Sequence, residues 1–170
     1  MALRSFGDKR PRLGDEVFVD ESAVVIGDVR LGDRSSVWPE AVLRADDDYV
    51  EIGQETAMMD LSFAEAPKGK PVMVGRGCIV SHGARLHGCM IQDSVLVGIG
   101  AIVLDSATIG EGSIVAAGSL VSPATVVPKR SFVVGVPGRV TRQATDDELE
   151  WTKNEVKVLV AKAAKYRGQC

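Results

Sequence analysis

Val97-Gly98-Ile99-Gly100-Ala101-Ile102-Val103-Leu104-Asp105-Ser106-Ala107-Thr108-Ile109-Gly110-Glu111-Gly112-Ser113-Ile114-Val115 places an aliphatic residue at every sixth position: Val97, Val103, Ile109 and Val115. Neither a helical nor an alternating-strand period produces this spacing, which excludes an amphipathic helix and a simple meander here. A six-residue period marks a parallel β-helix, in which each repeat is one short strand plus one corner.

The same ruler runs outward in both directions. It continues to Val121, Val127 and Val133, and after a one-residue slip it reaches back through Ile91 to Leu86, Val80 and Val74. It recurs at Ala64, Met58 and Ile52, and again at Leu43, Val37, Leu31, Val25 and Val19. Four places after most of these positions stands a small or β-branched residue, such as Ala23, Ser35, Ala41, Cys78, Ala84, Ala101 or Ser113. Gly often follows the aliphatic directly, as at Gly32, Gly53, Gly75, Gly98 and Gly110.

Three repeats close one triangular coil, so the aliphatics stack in three columns. Val19, Val37, Met58, Val80, Val97 and Val115 define side one; Val25, Leu43, Ala64, Leu86, Val103 and Val121 define side two; Leu31, Ile52, Val74, Ile91, Ile109 and Val127 define side three. About six coils at strand spacing give a prism ~29 Å tall. Residues 45–48 and 65–71 lengthen two corners, and such extruded loops commonly carry function.

This divides the chain into a polar lead-in over 1–15, the β-helix over 16–142, and a C-terminal segment over 143–170. Thr145-Asp146-Asp147-Glu148 reads as a capping box. Leu149, Thr152, Val156, Leu159, Val160 and Ala163 then mark one face of a helix running to about Tyr166. Its polar face is mixed in charge, which points to packing on a prism rather than to a membrane surface.

The net charge is −3, with Lys and Arg scattered among Asp and Glu, so the chain shows no basic face for nucleic acid. No apolar run is long enough to span a bilayer, the start lacks the apolar stretch of a signal peptide, and the expected location is cytoplasmic. Of three cysteines, Cys78 falls at an inward-facing position and Cys170 is terminal, a usage that suits a reducing compartment.

The only two histidines, His82 and His87, sit in Ser81-His82-Gly83-Ala84-Arg85-Leu86-His87-Gly88-Cys89. The ruler turns them into addresses. Arg44, Glu65 and His87 each follow the side-two aliphatic and form one vertical column. Asp60 and His82 each lie two places after the side-one aliphatic and form another. An extended stretch between the histidines spans roughly 16 Å, too far for one zinc ion to bridge. Glu65 and His87, one coil apart, can share an ion. A complete site then needs His82 from a second copy, most simply in a closed homotrimer. The competing assignment is an Arg44–Glu65 ion pair without metal.

From about Gly14 to Arg142 the chain resembles the γ-class carbonic anhydrases and their relatives, trimeric left-handed β-helix proteins. The resemblance rests on Gly27-Asp28-Val29-Arg30-Leu31-Gly32 with Ser36-Val37-Trp38, on Val42-Leu43-Arg44-Ala45-Asp46, on the two-histidine segment, on Val95 to Asp105, and on Val134-Gly135-Val136-Pro137-Gly138-Arg139-Val140. It implies a zinc, iron or cobalt ion held by three histidines from two subunits, two of them matching His82 and His87. It also implies active-site roles for Arg44, Asp46 and Asp60. The third histidine is replaced by Glu65, and the family's Asn, Gln and Gly are replaced by Ala57, Met59 and Leu61, changes expected to fall on one wall of the site. A Glu and two His remain a legitimate zinc set. The added negative charge predicts weak hydration of CO2 to bicarbonate through zinc-bound hydroxide. Two other functions stay open: a non-catalytic trimeric scaffold, and an acyltransferase or thioesterase acting on acyl-CoA with His82 or His87 as base.

Overall fold

A computed structural model of the chain describes residues 2–168; Cys170 lies outside them. The chain forms a left-handed parallel β-helix of about seven coils with one C-terminal helix. The ruler is its interior: every aliphatic in the three columns except half-buried Val19 is exposed by 3% or less. The small residues four places on, Cys78 among them, fill the same core.

Side one is a ladder of two-residue strands in parallel register, Phe18↔Ser36↔Ala57↔Ile79↔Leu96↔Ile114↔Phe132. Sides two and three belong to one sheet, because the strands Val24–Leu31 and Val42–Ile52 run unbroken across the corner between them. Residues 45–48 are therefore strand rather than the extruded loop expected, with a register shift absorbed between Gly27 and Val29. Residues 66–71 do leave the strand path.

Six coils were expected, and the lead-in supplies the strands of another. Ala2–Arg4 pairs with Val24–Ile26 and Arg12–Leu13 pairs with Arg30–Leu31, both parallel. A turn in which Phe6 bridges Lys9 separates these two strands and breaks the six-residue phase.

Most corners turn on a residue three places before the next aliphatic, and that residue adopts left-handed backbone. Gly83 and Gly100 take this conformation freely, whereas Glu40, Glu55, Leu61 and Ser94 hold it at the steric cost of a Cβ.

The helix Asp146–Arg167 begins with the expected capping box, in which Thr145 accepts from the Glu148 amide and the Glu148 carboxylate accepts from the Thr145 amide. It lies on its own prism: Val156, Leu159 and Ala163 pack against Phe18, Trp38, Ala57, Met59 and Ile79 of side one. Tyr166 closes an aromatic cluster with Phe18 and Trp38, at ring separations of 5.6 and 5.5 Å. Sides two and three are left uncovered by this helix. Among the described residues no helix is long and apolar enough to cross a membrane.

Candidate metal centre

The parallel register sets Arg44, Glu65 and His87 directly above one another on three successive coils. Glu65 occupies the middle. One carboxylate oxygen is held by Arg44 in a close ion pair, and the other lies 3.8 Å from His87 Nε2. Arg44 also donates to Asp46 Oδ2 at 2.9 Å. Pairing with Glu65 first, and with Asp46 next, raises the Arg44 pKa and keeps the guanidinium charged. The backbone carbonyls of Asp46 and Asp47 accept from Lys9 Nζ at 2.6 and 2.8 Å, so the N-terminal turn holds the segment that carries Asp46.

The second column stands at another edge. His82 Nδ1 lies 3.1 Å from Asp60 Oδ2, and the His82 imidazole is half exposed. The structure thus brings Arg44, Asp46, Glu65 and His87 together and sets Asp60 with His82 apart from them.

Sequence reasoning missed Asp105 and Lys70. His87 Nδ1 forms a close hydrogen bond with Asp105 Oδ1, and Lys70 Nζ donates to Asp105 Oδ2 at 2.8 Å. Lys70 first, then His87, lowers the Asp105 pKa, so the carboxylate is ionised and can only accept. A neutral His87 donating to it through Nδ1–H has its Nε2 lone pair on the side facing Glu65. The ruler stacks Leu104 on His87, because the one-residue slip after Leu86 shortens this coil to seventeen residues, so Asp105 lies one place past the position that sequence phase alone would give. Lys70 has no such position, because it sits in the 65–71 loop where the ruler has no phase.

Cys89, two residues from His87, turns inward and is 2% exposed. It packs in the prism core rather than in the Glu65–His87 column, and burial pushes its thiol up to about 12. Among the described residues of one chain, no group of three His, Cys, Asp or Glu side chains converges as a metal site. The pair that does face each other has suitable chemistry. A neutral imidazole nitrogen and a carboxylate oxygen at 3.8 Å are close to the ~3.4 Å that separates two tetrahedral zinc ligands.

The four positions expected on one wall are divided. Ala57 and Met59 belong to the apolar cluster shared with the C-terminal helix, Leu61 is an exposed corner residue, and Glu65 stands in the Arg44–His87 column. Ala57 and Met59 lie on side one, Leu61 at the corner and Glu65 on side two, a division that a linear motif does not reveal.

Residues 88–123 match the family described as bacterial transferase hexapeptide (six repeats). A protein of Methanocaldococcus jannaschii named "Probable carbonic anhydrase" is 50% identical over 141 residues, covering 83% of this chain and 89% of its own. Gamma carbonic anhydrase 2, mitochondrial, of Arabidopsis thaliana is 37% identical over 161 residues, which are 91% of this chain and 58% of that longer protein. The crystal structure of a hexapeptide transferase family protein from Anaplasma phagocytophilum superimposes with a TM-score of 0.93 at 29% identity, covering 97% of this chain and 98% of the other.

Proposed function

Because the chain belongs to the γ-class carbonic anhydrase family of hexapeptide-repeat proteins, we propose that it binds a divalent metal and hydrates CO2 reversibly and slowly. The ligands are Glu65 and His87 of one copy and His82 of a neighbouring copy in a homotrimer. Zinc suits this donor set, and iron or cobalt are the alternatives. When bound, the ion supplies a Lewis acid that makes a water acidic enough to ionise near neutral pH.

The observation that carries this reading is His87, tied through Nδ1 to Asp105 with Nε2 turned toward Glu65. The remaining residues divide the work. Asp105 fixes the imidazole tautomer, and Asp60 does the same for His82. Arg44, held charged by Glu65 and Asp46, supplies a cation beside the place where anionic bicarbonate forms. Met59 has no hydrogen to donate and lies in the apolar cluster, so it cannot orient a reacting water as a glutamine can. Glu65 adds negative charge that makes the site a weaker Lewis acid than three neutral histidines would. Both features favour slow turnover. The free, buried thiols of Cys78 and Cys89 suit a reducing compartment such as the cytoplasm.

The Arg44–Glu65 pair favours a second reading, a metal-free trimeric scaffold in which Glu65 serves only Arg44. Metal content per chain by mass spectrometry, on protein purified without chelator, separates the two. Near-stoichiometric zinc, iron or cobalt that is lost in Glu65→Ala supports the metal centre. No metal in either sample assigns the column to the ion pair. Saturable binding of coenzyme A would instead move the assignment to acyl transfer.

In the metal-bearing protein, Glu65→His should raise CO2 hydration at least tenfold in a stopped-flow assay, because it restores a neutral ligand. An unchanged rate would remove the ligand charge as the reason for slow turnover.

A further inference from the structure

We propose that Lys70 is a positioning residue for the metal centre: by occupying one oxygen of Asp105 it fixes the orientation of His87. This rests on the metal-binding reading above.

Asp105 has two oxygens and spends one on each neighbour. Oδ1 takes the His87 Nδ1–H, and Oδ2 takes Lys70 Nζ at 2.8 Å. A carboxylate held at one end only can rotate and can meet the imidazole with either oxygen. Held at both ends, it presents one oxygen in one plane, so the ring it holds has one orientation. That orientation turns Nε2 toward Glu65.

The loop is built to bring Lys70 there. Its turn is closed by the Lys70 amide donating to the Pro67 carbonyl at 2.9 Å. Gly88, directly after His87, leaves room for the lysine stem: a Cβ at this position would stand 3.0 Å from Lys70 Cβ and 3.3 Å from Pro67 Cγ. The 65–71 insertion thus starts at one metal ligand, Glu65, and returns to secure the other, His87, through Asp105.

Two readouts test this on the full-length protein. In the first, long-range nitrogen–proton NMR of metal-free protein, at a pH where the imidazoles are neutral, reports which ring nitrogen of His87 is protonated. Wild type should show one sharp set of His87 ring signals in the Nδ1–H form, Lys70→Met the same tautomer with its ring signals broadened or doubled by loss of the single orientation, and Lys70→Arg the wild-type pattern. In the second, titration with Co2+ followed by its visible absorption should show about tenfold weaker binding in Lys70→Met, with Lys70→Arg restored. Asp105→Asn should lose the Nδ1–H preference altogether, which marks the limit of the effect.

The Lys70 side chain is partly exposed and lies outside the apolar core, so its replacement should leave the fold intact. Lys70→Met with wild-type His87 ring signals and the wild-type Co2+ affinity would overturn the proposal. Failure of the wild-type protein to bind Co2+ would sink the metal-binding reading instead, and with it any role toward a metal, while the comparison of His87 ring signals would still decide whether Lys70 orients His87.

Discussion

Leu61 holds a left-handed backbone conformation with its side chain 59% exposed, so it bears a steric cost without burial to offset it. That cost is about 1–2 kcal/mol for a residue with a Cβ, and glycine would surrender roughly 0.5–1 kcal/mol of it through unfolded-chain entropy. Leu61→Gly should therefore stabilise the protein by up to about 1 kcal/mol, read as a higher urea midpoint. A lower midpoint would mean that the Leu61 side chain is covered by another copy. At this scale the sequence was informative wherever the ruler had phase. Arg44, Glu65 and His87 could be stacked from their positions alone, as could Asp60 and His82. Ala57 and Met59 could not be assigned a neighbour, because what covers an outward position depends on where the distant helix lies.

The helix Asp146–Arg167 was legible because its signals are local: a cap, an acidic first turn and one apolar face. Its docking partner was not, since an apolar stripe fits any apolar surface. Its N-terminus carries a pH dependence. Arg142, with the Thr145 amide, lowers the Glu148 pKa from 4.5 to about 2. The folded value lies below the unfolded one, so the contribution is complete above about pH 4.5 and is lost as the pH falls toward 2. Protection factors of amides in the first helical turn, taken relative to intrinsic exchange at each pH, should fall through that window, and Glu148→Gln should already show the lower protection at neutral pH. Thr145→Ala removes the other half of the box and should cost about 1 kcal/mol in urea unfolding. The unbroken strands Val24–Leu31 and Val42–Ile52 were hidden for a different reason. Their extra residues look like a loop insertion in sequence, and only pairing with the coil beneath shows that they stay in the sheet.

Across the molecule, stability is the sum of contacts between adjacent coils rather than of distant ones. Gly53 sits where two coils nearly touch: a Cβ there would lie 2.5 Å from the carbonyl carbon and oxygen of Gly75. Both are backbone atoms and cannot swing aside. Gly53→Ala should cost at least about 3 kcal/mol, in the range reserved for forced backbone clashes. Because position 53 lies within the stack, probes above and below it should melt at different urea concentrations, whereas coincident melting would show that the clash is relieved locally. The last coil closes differently. The strand Gly138–Gln143 runs antiparallel along Ser131–Gly135, reversing the polarity that every earlier pair of side one obeys, and it presents Arg139 and Arg142 exposed along its length. A parallel β-helix is an open-ended template on which another chain could add coil after coil into a fibre. On this side the reversed strand offers an incoming molecule the wrong direction and the exposed cation of Arg139, so it acts as a chain terminator against end-to-end polymerisation.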